Sequence, residues 1–166
     1  SEQLLQVAAE SGKPMVLDAD GLNLLAQGRV VAQAARDNWL LTPHPGEAAR
    51  LLASNNADVQ ADRFAAAALL QQRFGGVVVL KGNGTLVADG QGLKLSDYGN
   101  PGMASGGMGD VLSGVLGGLL AQGLSLADSA ALGVCVHGAA ADIAAEEGQR
   151  GLAASDLIAP LRSLLG

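Results

Sequence analysis

With 166 residues, 49% of them hydrophobic, the chain is long enough for one domain with a sizeable core, and its 24 glycines lie within apolar runs, which excludes a disordered or low-complexity polymer. Aromatic residues make up only 2%, so the core has to be built from Ala, Val and Leu. A net charge of −6, with lysine only at Lys13, Lys81 and Lys94, excludes a duplex-binding surface, which needs clustered cations, and predicts no nucleic acid among the partners.

In chain order, residues 1–11 read as the end of an amphipathic helix stopped by Gly12. MVLD (15–18) is a short apolar run that ends in polar turn residues, as a buried parallel strand does. WLLT (39–42) is a second such strand, closed by Pro43 and Pro45, and residues 46–53 are predicted helical. DVQADRFAAAALLQQR (58–73) reads as one longer helix with Asp58 as N-cap. VVVLK (77–81) is the strongest strand; a GNGT turn leads into TLVAD (85–89), and GLKLS (92–96) follows across another glycine turn. The glycine-rich GNPGMASGGMGD (99–110) opens a helix whose apolar residues Val111, Leu112, Val115, Leu116, Leu119 and Leu120 keep a helical repeat up to Gly123. Helices near 126–147 and 155–165 complete the chain, without internal repeat or linker. The lone Cys135 sits in the apolar LGVCVHGAAA and is expected to be a small core residue, not half of a disulfide. The chain shows no signal peptide and no long unbroken apolar segment, so a cytoplasmic protein with no membrane contact is expected. It opens at Ser1, without Met, directly in helix-like sequence, which suggests a piece of a longer protein.

Alternating strands and helices imply an α/β fold around a mostly parallel sheet, and such sheets bind ligands beyond the C-terminal ends of their strands. Asp18-Ala19-Asp20, His44-Pro45-Gly46-Glu47 and Lys81-Gly82 all fall at strand ends, and the glycine-rich loop falls at a helix start, so the motifs are expected to converge on one face.

The sharpest motif is Gly106-Gly107-Met108-Gly109-Asp110. Glycines let backbone N–H groups turn toward a ligand, and the helix behind them adds a partial positive charge, which suits an anion hole for a phosphoryl group. Asp110, in the first turn, is placed to reach a substrate hydroxyl as catalytic base; the alternative is that it only stabilises the helix start. Lys81-Gly82-Asn83-Gly84-Thr85 can offer an ammonium and a hydroxyl to phosphate oxygens, but it is not a P-loop, and the residues on their own favour an Asn-Gly hairpin with a solvated Lys. His44 is either a ligand contact or part of a helix start with Glu47 in its first turn. His137, in an apolar helix, is expected to be a core histidine. Asp18 and Asp20 either cap the following turn or hold Mg²⁺ through water. No Cys/His cluster suggests zinc.

VLDADGLN, LTPHPGE, VLKGNGT and NPGMASGGMGDVLSG, in that order, strongly resemble the bacterial ADP-dependent NAD(P)H-hydrate dehydratase family, over nearly the whole chain. The resemblance implies a ribokinase-like three-layer αβα sandwich, incomplete at its N-terminus, with residues 1–166 as the C-terminal part of one nucleotide-binding domain. It implies removal of water from hydrated NADH or NADPH, with ADP consumed to AMP and phosphate. Asp110 would be the base; Lys81, Gly82, Asn83, Gly84, Thr85 and Gly109 would bind nucleotide; Gly106, Gly107, Met108 and Gly109 would form the anion hole; His44 and Asp110 would meet substrate. Glu47 would touch Mg²⁺ through water, in the place where related kinases carry Asn-x-x-Glu with Asn in the position of His44. The implied partners are NAD(P)H hydrate and ADP, an epimerase domain fused in the full-length protein, and further copies of the chain in a homo-oligomer, since an incomplete sheet exposes an edge. The alternatives are a small-molecule kinase of the same superfamily, which the HPGE motif disfavours, and a nucleotide-binding fragment without turnover.

Overall fold

The computed structural model describes residues 2–28 and 35–166; of the helix expected over 1–11, residue 1 lies outside the described residues. Two compact units divide the chain, one formed by Ser1–Gly82 with Leu86–Lys94, the other by Asn83–Thr85 with Leu95–Gly166.

The first unit opens with helix α1 (Glu2–Glu10), followed by strand β1 (Met15–Leu17) and helix α2 (Ala19–Ala26). Strand β2 (Trp39–Leu41), helices α3 (Pro45–Leu52), α4 (Asn56–Ala61) and α5 (Arg63–Phe74), strand β3 (Val77–Leu80) and strand β4 (Thr85–Ala88) follow, and strand β5 (Leu93–Ser96) leads on into the second unit. The sheet order is β1-β2-β3-β4-β5. β1, β2 and β3 pair in parallel, with Val16 opposite Leu40 and Leu41 opposite Val78, and β4 returns antiparallel with Val87 opposite Val79. Continuous apolar strands are what a parallel sheet buried on both faces requires, and every residue of β2 and β3 is buried.

Two expectations are corrected here. The sequence 58–73 is not one helix capped by Asp58. Asn55 caps α4, its side chain accepting from the Asp58 N–H at 2.9 Å, and Asp62 then leaves the helical region and caps α5, accepting from the Ala65 N–H at 2.9 Å. A carboxylate that can satisfy the orphan amides of a new helix competes with the helix it interrupts. The residues after Asp18, expected to be only a turn, form α2, with Asp18 as its N-cap.

The core of this unit is largely Leu, Val and Ala, but the largest fully buried side chain is Trp39, packed with Phe74. The indole Nε1–H donates to the Phe74 carbonyl at 2.7 Å, so a large apolar body is buried without leaving its one polar atom unpaired.

At the β4–β5 turn the Asp89 carboxylate is held below the usual carboxylate range, first by the Lys94 ammonium bonded to it at 2.7 Å and then by the Gln91 and Gly92 N–H groups, against the opposing pull of burial. Because its folded pKa lies below its unfolded one, near 3.9, the stabilisation is complete above that value and is lost as pH falls through the folded pKa. Asp89→Asn keeps an acceptor for the turn but loses the ion pair. It should lower stability at pH 7 by about 1 kcal/mol, and urea unfolding should show that difference shrinking as pH falls below about 4.

The second unit holds helices α6 (Met108–Ala121), α7 (Leu126–Ala144) and α8 (Ile158–Leu165), with short 3₁₀ turns at Pro101–Met103, Ala145–Glu147 and Ala154–Leu157. Met108, Val136, Ala140, Ala141, Leu152, Leu157 and Leu161 form its buried cluster. His137 is a buried residue of α7, as expected, whereas Cys135 is only partly buried. One stretch, Leu126–Glu147, is long and apolar enough by length and composition to cross a membrane, contrary to the sequence expectation; half of its apolar window is buried inside the protein, as in a core helix.

Candidate functional site

Three predicted motifs meet within the first unit. Asp18 follows β1, Glu47 lies in the first turn of α3 just beyond β2, and Lys81 follows β3. The Lys81 Nζ donates to Asp18 Oδ1 at 2.8 Å and lies 3.9 Å from Glu47 Oε2. Backbone bonds hold the strand ends in register: Thr42 N–H donates to the Leu17 carbonyl at 3.0 Å, and Lys81 N–H to the Pro43 carbonyl at 2.9 Å. Lys81 is therefore not the solvated Lys of a plain hairpin: its ammonium is hydrogen-bonded to Asp18 and lies within ion-pair distance of Glu47. Asp18 serves twice, since its Oδ1 also accepts from the Ala19 N–H at 2.9 Å. Ala19 itself takes φ 47°, a left-handed conformation uncommon for a residue with a side chain, which places local strain beside the cluster. Asp20 is exposed.

The HPGE motif is a capping device at residue level. His44 is the N-cap of α3, and its Nδ1 accepts from the Gly46 N–H at 3.0 Å and the Glu47 N–H at 3.4 Å. Glu47 Oε2 reaches back to the His44 N–H at 2.8 Å, completing a capping box. Pro45 occupies the first helical position, where its missing N–H is harmless. Gly46 leaves room for the ring, because a Cβ there would lie 2.9 Å from His44 Cε1. With Nδ1 accepting, Nε2 is the donor position of the neutral ring; it lies 3.5 Å from Glu47 Oε1, on a side chain that is half exposed. Of the two alternatives for His44, the structure shows the helix start: it is the N-cap of α3, with Glu47 in the first turn.

In the second unit the glycine-rich loop leads into α6. Gly107 is the N-cap in a left-handed conformation, with no side chain capping the helix, so the first amides of α6 are left open to an anion. Residues 104–107 are exposed, Met108 is buried in the apolar cluster, and Asp110 is exposed in the first turn. Among the described residues the Asp110 carboxylate has no hydrogen-bond or ion-pair partner.

Lys81 and Gly82 close one segment of the first unit, while Asn83, Gly84 and Thr85 belong to the second, together with Gly106, Gly107, Met108, Gly109 and Asp110. Among the described residues no three His, Cys, Asp or Glu side chains are grouped to hold a metal directly. A groove of about 580 Å³ against α4 and α5, lined by Leu52, Val59, Ala66 and Leu69, contains none of the predicted site residues.

Two residues near these motifs were not anticipated. Arg63, the first residue of α5, donates from Nη2 to the Leu80 and Lys81 carbonyls at 3.3 and 3.4 Å, and burial pushes its guanidinium pKa down. Asp142 of α7 accepts from the start of the glycine-rich loop. The Asp-Arg pair at a helix start was the available signal for Arg63, hidden by reading 58–73 as one helix; nothing local marks Asp142.

The family described as NAD(P)H-hydrate dehydratase, a carbohydrate-kinase type, matches residues 1–162. This chain belongs to the NAD(P)H-hydrate dehydratase family. Among family members, the bifunctional NAD(P)H-hydrate repair enzyme of Coxiella burnetii is 54% identical over 167 residues, which cover 99% of this chain and 33% of that enzyme. The ADP-dependent (S)-NAD(P)H-hydrate dehydratase of Neisseria meningitidis is 50% identical over 137 residues, 81% of this chain and 46% of that protein. The crystal structure of the ADP/ATP-dependent NAD(P)H-hydrate dehydratase of Bacillus subtilis, co-crystallised with ATP and Mg²⁺, superposes with a TM-score of 0.78 at 31% identity, covering 92% of this chain and 55% of that one. A ribokinase-like protein of Enterococcus faecalis superposes with a TM-score of 0.82 at 25% identity. The fold is thus α/β and ribokinase-like, as the motifs implied. The chain spans about a third of the length of the first curated family members it matches.

Proposed function

We propose that this chain carries out ADP-dependent dehydration of hydrated NADH or NADPH, a repair of the nicotinamide cofactor, and that its 166 residues are the C-terminal part of one ribokinase-like domain. The observation that carries the reading is the exposed Asp110 carboxylate, without a partner among the described residues, in the first turn of a helix whose start has no side-chain cap. A carboxylate held this way is free to take a proton, and the open amides beside it are suited to negative charge that develops on a phosphoryl group.

In this mechanism Asp110 takes the proton of the ring hydroxyl as that oxygen attacks the terminal phosphorus of ADP. The bridging P–O bond breaks and AMP leaves. A phosphate is a far better leaving group than hydroxide, so the ring C–O bond then breaks, a proton leaves the neighbouring ring carbon, and the dihydronicotinamide is restored. The amides of Gly106, Gly107, Met108 and Gly109 receive the phosphoryl charge, the Lys81–Thr85 segment binds the nucleotide, and His44 Nε2–H donates to the substrate. Mg²⁺, when bound, would neutralise charge on the nucleotide phosphates. Glu47, whose Oε2 accepts from the His44 N–H, would be the residue to meet such an ion, through water.

Members named as bifunctional support a fused epimerase in the full-length protein. A homo-oligomer is supported by β1, which edges the sheet, and by the exposed Leu4 and Val7 of α1. The superfamily's small-molecule kinases match at under 25% identity, which supports the fold alone.

The test follows the return of reduced-nicotinamide absorbance from hydrated NADPH, with ADP, with ATP and without nucleotide. Recovery only with ADP supports reaction and co-substrate together. A stable phosphorylated product in place of NADPH would turn the reading to a kinase, and recovery without nucleotide turnover would sink the phosphorylation step.

A further inference from the structure

We propose that Asp142, on α7, is a positioning residue of this reaction: it fixes the end of the glycine-rich loop remote from Asp110 and thereby sets where the loop's amides and Asp110 stand. The inference rests on the dehydratase reading for its consequence, but its geometry is independent of it. Asp142 Oδ2 accepts from the Gly99 N–H at 2.9 Å, and Oδ1 accepts from Asn100 Nδ2 at 3.0 Å. The same Nδ2 donates to the Ala141 carbonyl at 3.0 Å, and Asn100 Oδ1 accepts from the Gly102 N–H at 3.0 Å. Every polar atom of the Asn100 amide is thus assigned, and its orientation is dictated by Asp142: the nitrogen must face the carboxylate, so the oxygen must face Gly102. That oxygen caps the 3₁₀ turn Pro101–Met103.

Three successive holds follow along the loop. Asp142 pins residues 99–100, Met103 packs against the apolar cluster, and Met108 is buried in that cluster. Only Ala104 to Gly107 bridge the last two holds, and all four are exposed. The first hold sets how residues 99–103 enter this path, which runs on past Met103 through the short exposed span to Gly107, the N-cap of α6, three residues before Asp110. α7 also approaches the chain just before the loop without a gap, since a Cβ at Gly138 would lie 2.7 Å from Tyr98 Cβ and 2.9 Å from the Tyr98 carbonyl. The carboxylate is only partly buried, and nothing in its two bonds is needed to form α7, so its placement serves the loop.

Asp142→Asn is nearly isosteric, but it sets an amide donor against either the Gly99 N–H or the Asn100 amide, so one hold is lost. The expected result is a fall in kcat of roughly tenfold to a hundredfold, an unchanged KM for ADP and for hydrated NADPH, and a Tm within a few degrees of the unaltered chain's. Asn100→Ala should act alike, and the double variant should be no worse than the worse single one, because both remove the same hold. Hydrogen exchange should quicken at the amides of residues 99–107 and stay slow along α6 and α7. An unchanged kcat, or a loss that tracks a fall in Tm, overturns the positioning role, as does unaltered exchange in the loop. If the full-length protein that contains this chain dehydrated nothing while Asp142→Asn still loosened the loop, the dehydratase reading would fall and the hold would stand.

Discussion

Asp110→Asn should reduce turnover of hydrated NADPH by about 10²–10⁴-fold, the range in which a positioned general base acts, while leaving ADP binding nearly as it was. Asn fills the same space and cannot accept the hydroxyl proton. Removing a negative charge from the first turn of α6 also takes away a favourable interaction with the helix dipole, worth only a few tenths of a kcal/mol at an exposed position, so the fold should stay intact. Turnover measured at saturating ADP, beside calorimetric titration with ADP, separates the roles. Full turnover in the variant would remove Asp110 from the chemistry, and loss of ADP binding in step with turnover would make it a nucleotide ligand instead of a base.

The second large effect is expected at Lys81→Met. This change keeps the aliphatic stem but leaves Asp18 and Glu47, with side chains 16% and 6% exposed, facing each other without a cation. Breaking a buried pair by removing one partner costs about 3–5 kcal/mol; with the Lys81 side chain still 21% exposed, screening lowers the expected loss to about 2 kcal/mol. Turnover should fall by roughly 10²-fold, as when a donor to developing charge is deleted. Adding Asp18→Asn to Lys81→Met removes one of the two uncompensated charges, and should recover part of the stability in urea unfolding without recovering turnover. Recovery of both would reduce Lys81 to a structural cation; recovery of neither would mean that the pair with Asp18 matters little to folding.

What was legible in the sequence is what the chain encodes locally. The strands at 15–17, 39–41 and 77–80 could be read from short apolar runs closed by polar or proline residues, and the polar motifs at their ends followed from the rule that parallel strands deliver ligands there. The loop at 106–110 was legible because glycines before an amphipathic helix carry one meaning for backbone and dipole alike. The rest depended on partners distant in the chain. That Lys81 is committed to Asp18, 63 residues earlier, could not be inferred from an Asn-Gly turn. Asp142 meets Gly99 across 43 positions, and its own surroundings are those of any charged residue on a helix. The break at Asp62 was missed for a local reason: Asp is tolerated inside a helix and favoured at its start, and only the observed cap decides between the two. Trp39 was underestimated because composition counts residues, whereas one indole fills the space of several alanines.

The imidazole of His44 has a consequence for what this position can exchange without harm to the helix. A cap needs only an acceptor that folds back on the helix amides, and here Nδ1 supplies it. An Asn in that place could cap with its carbonyl oxygen and still present an N–H. Exchanging one residue for the other therefore leaves the helix start satisfied while moving the outward donor to a different reach. A substitution between the two residues at this position is therefore expected to cost the start of α3 little, because the capping acceptor is kept.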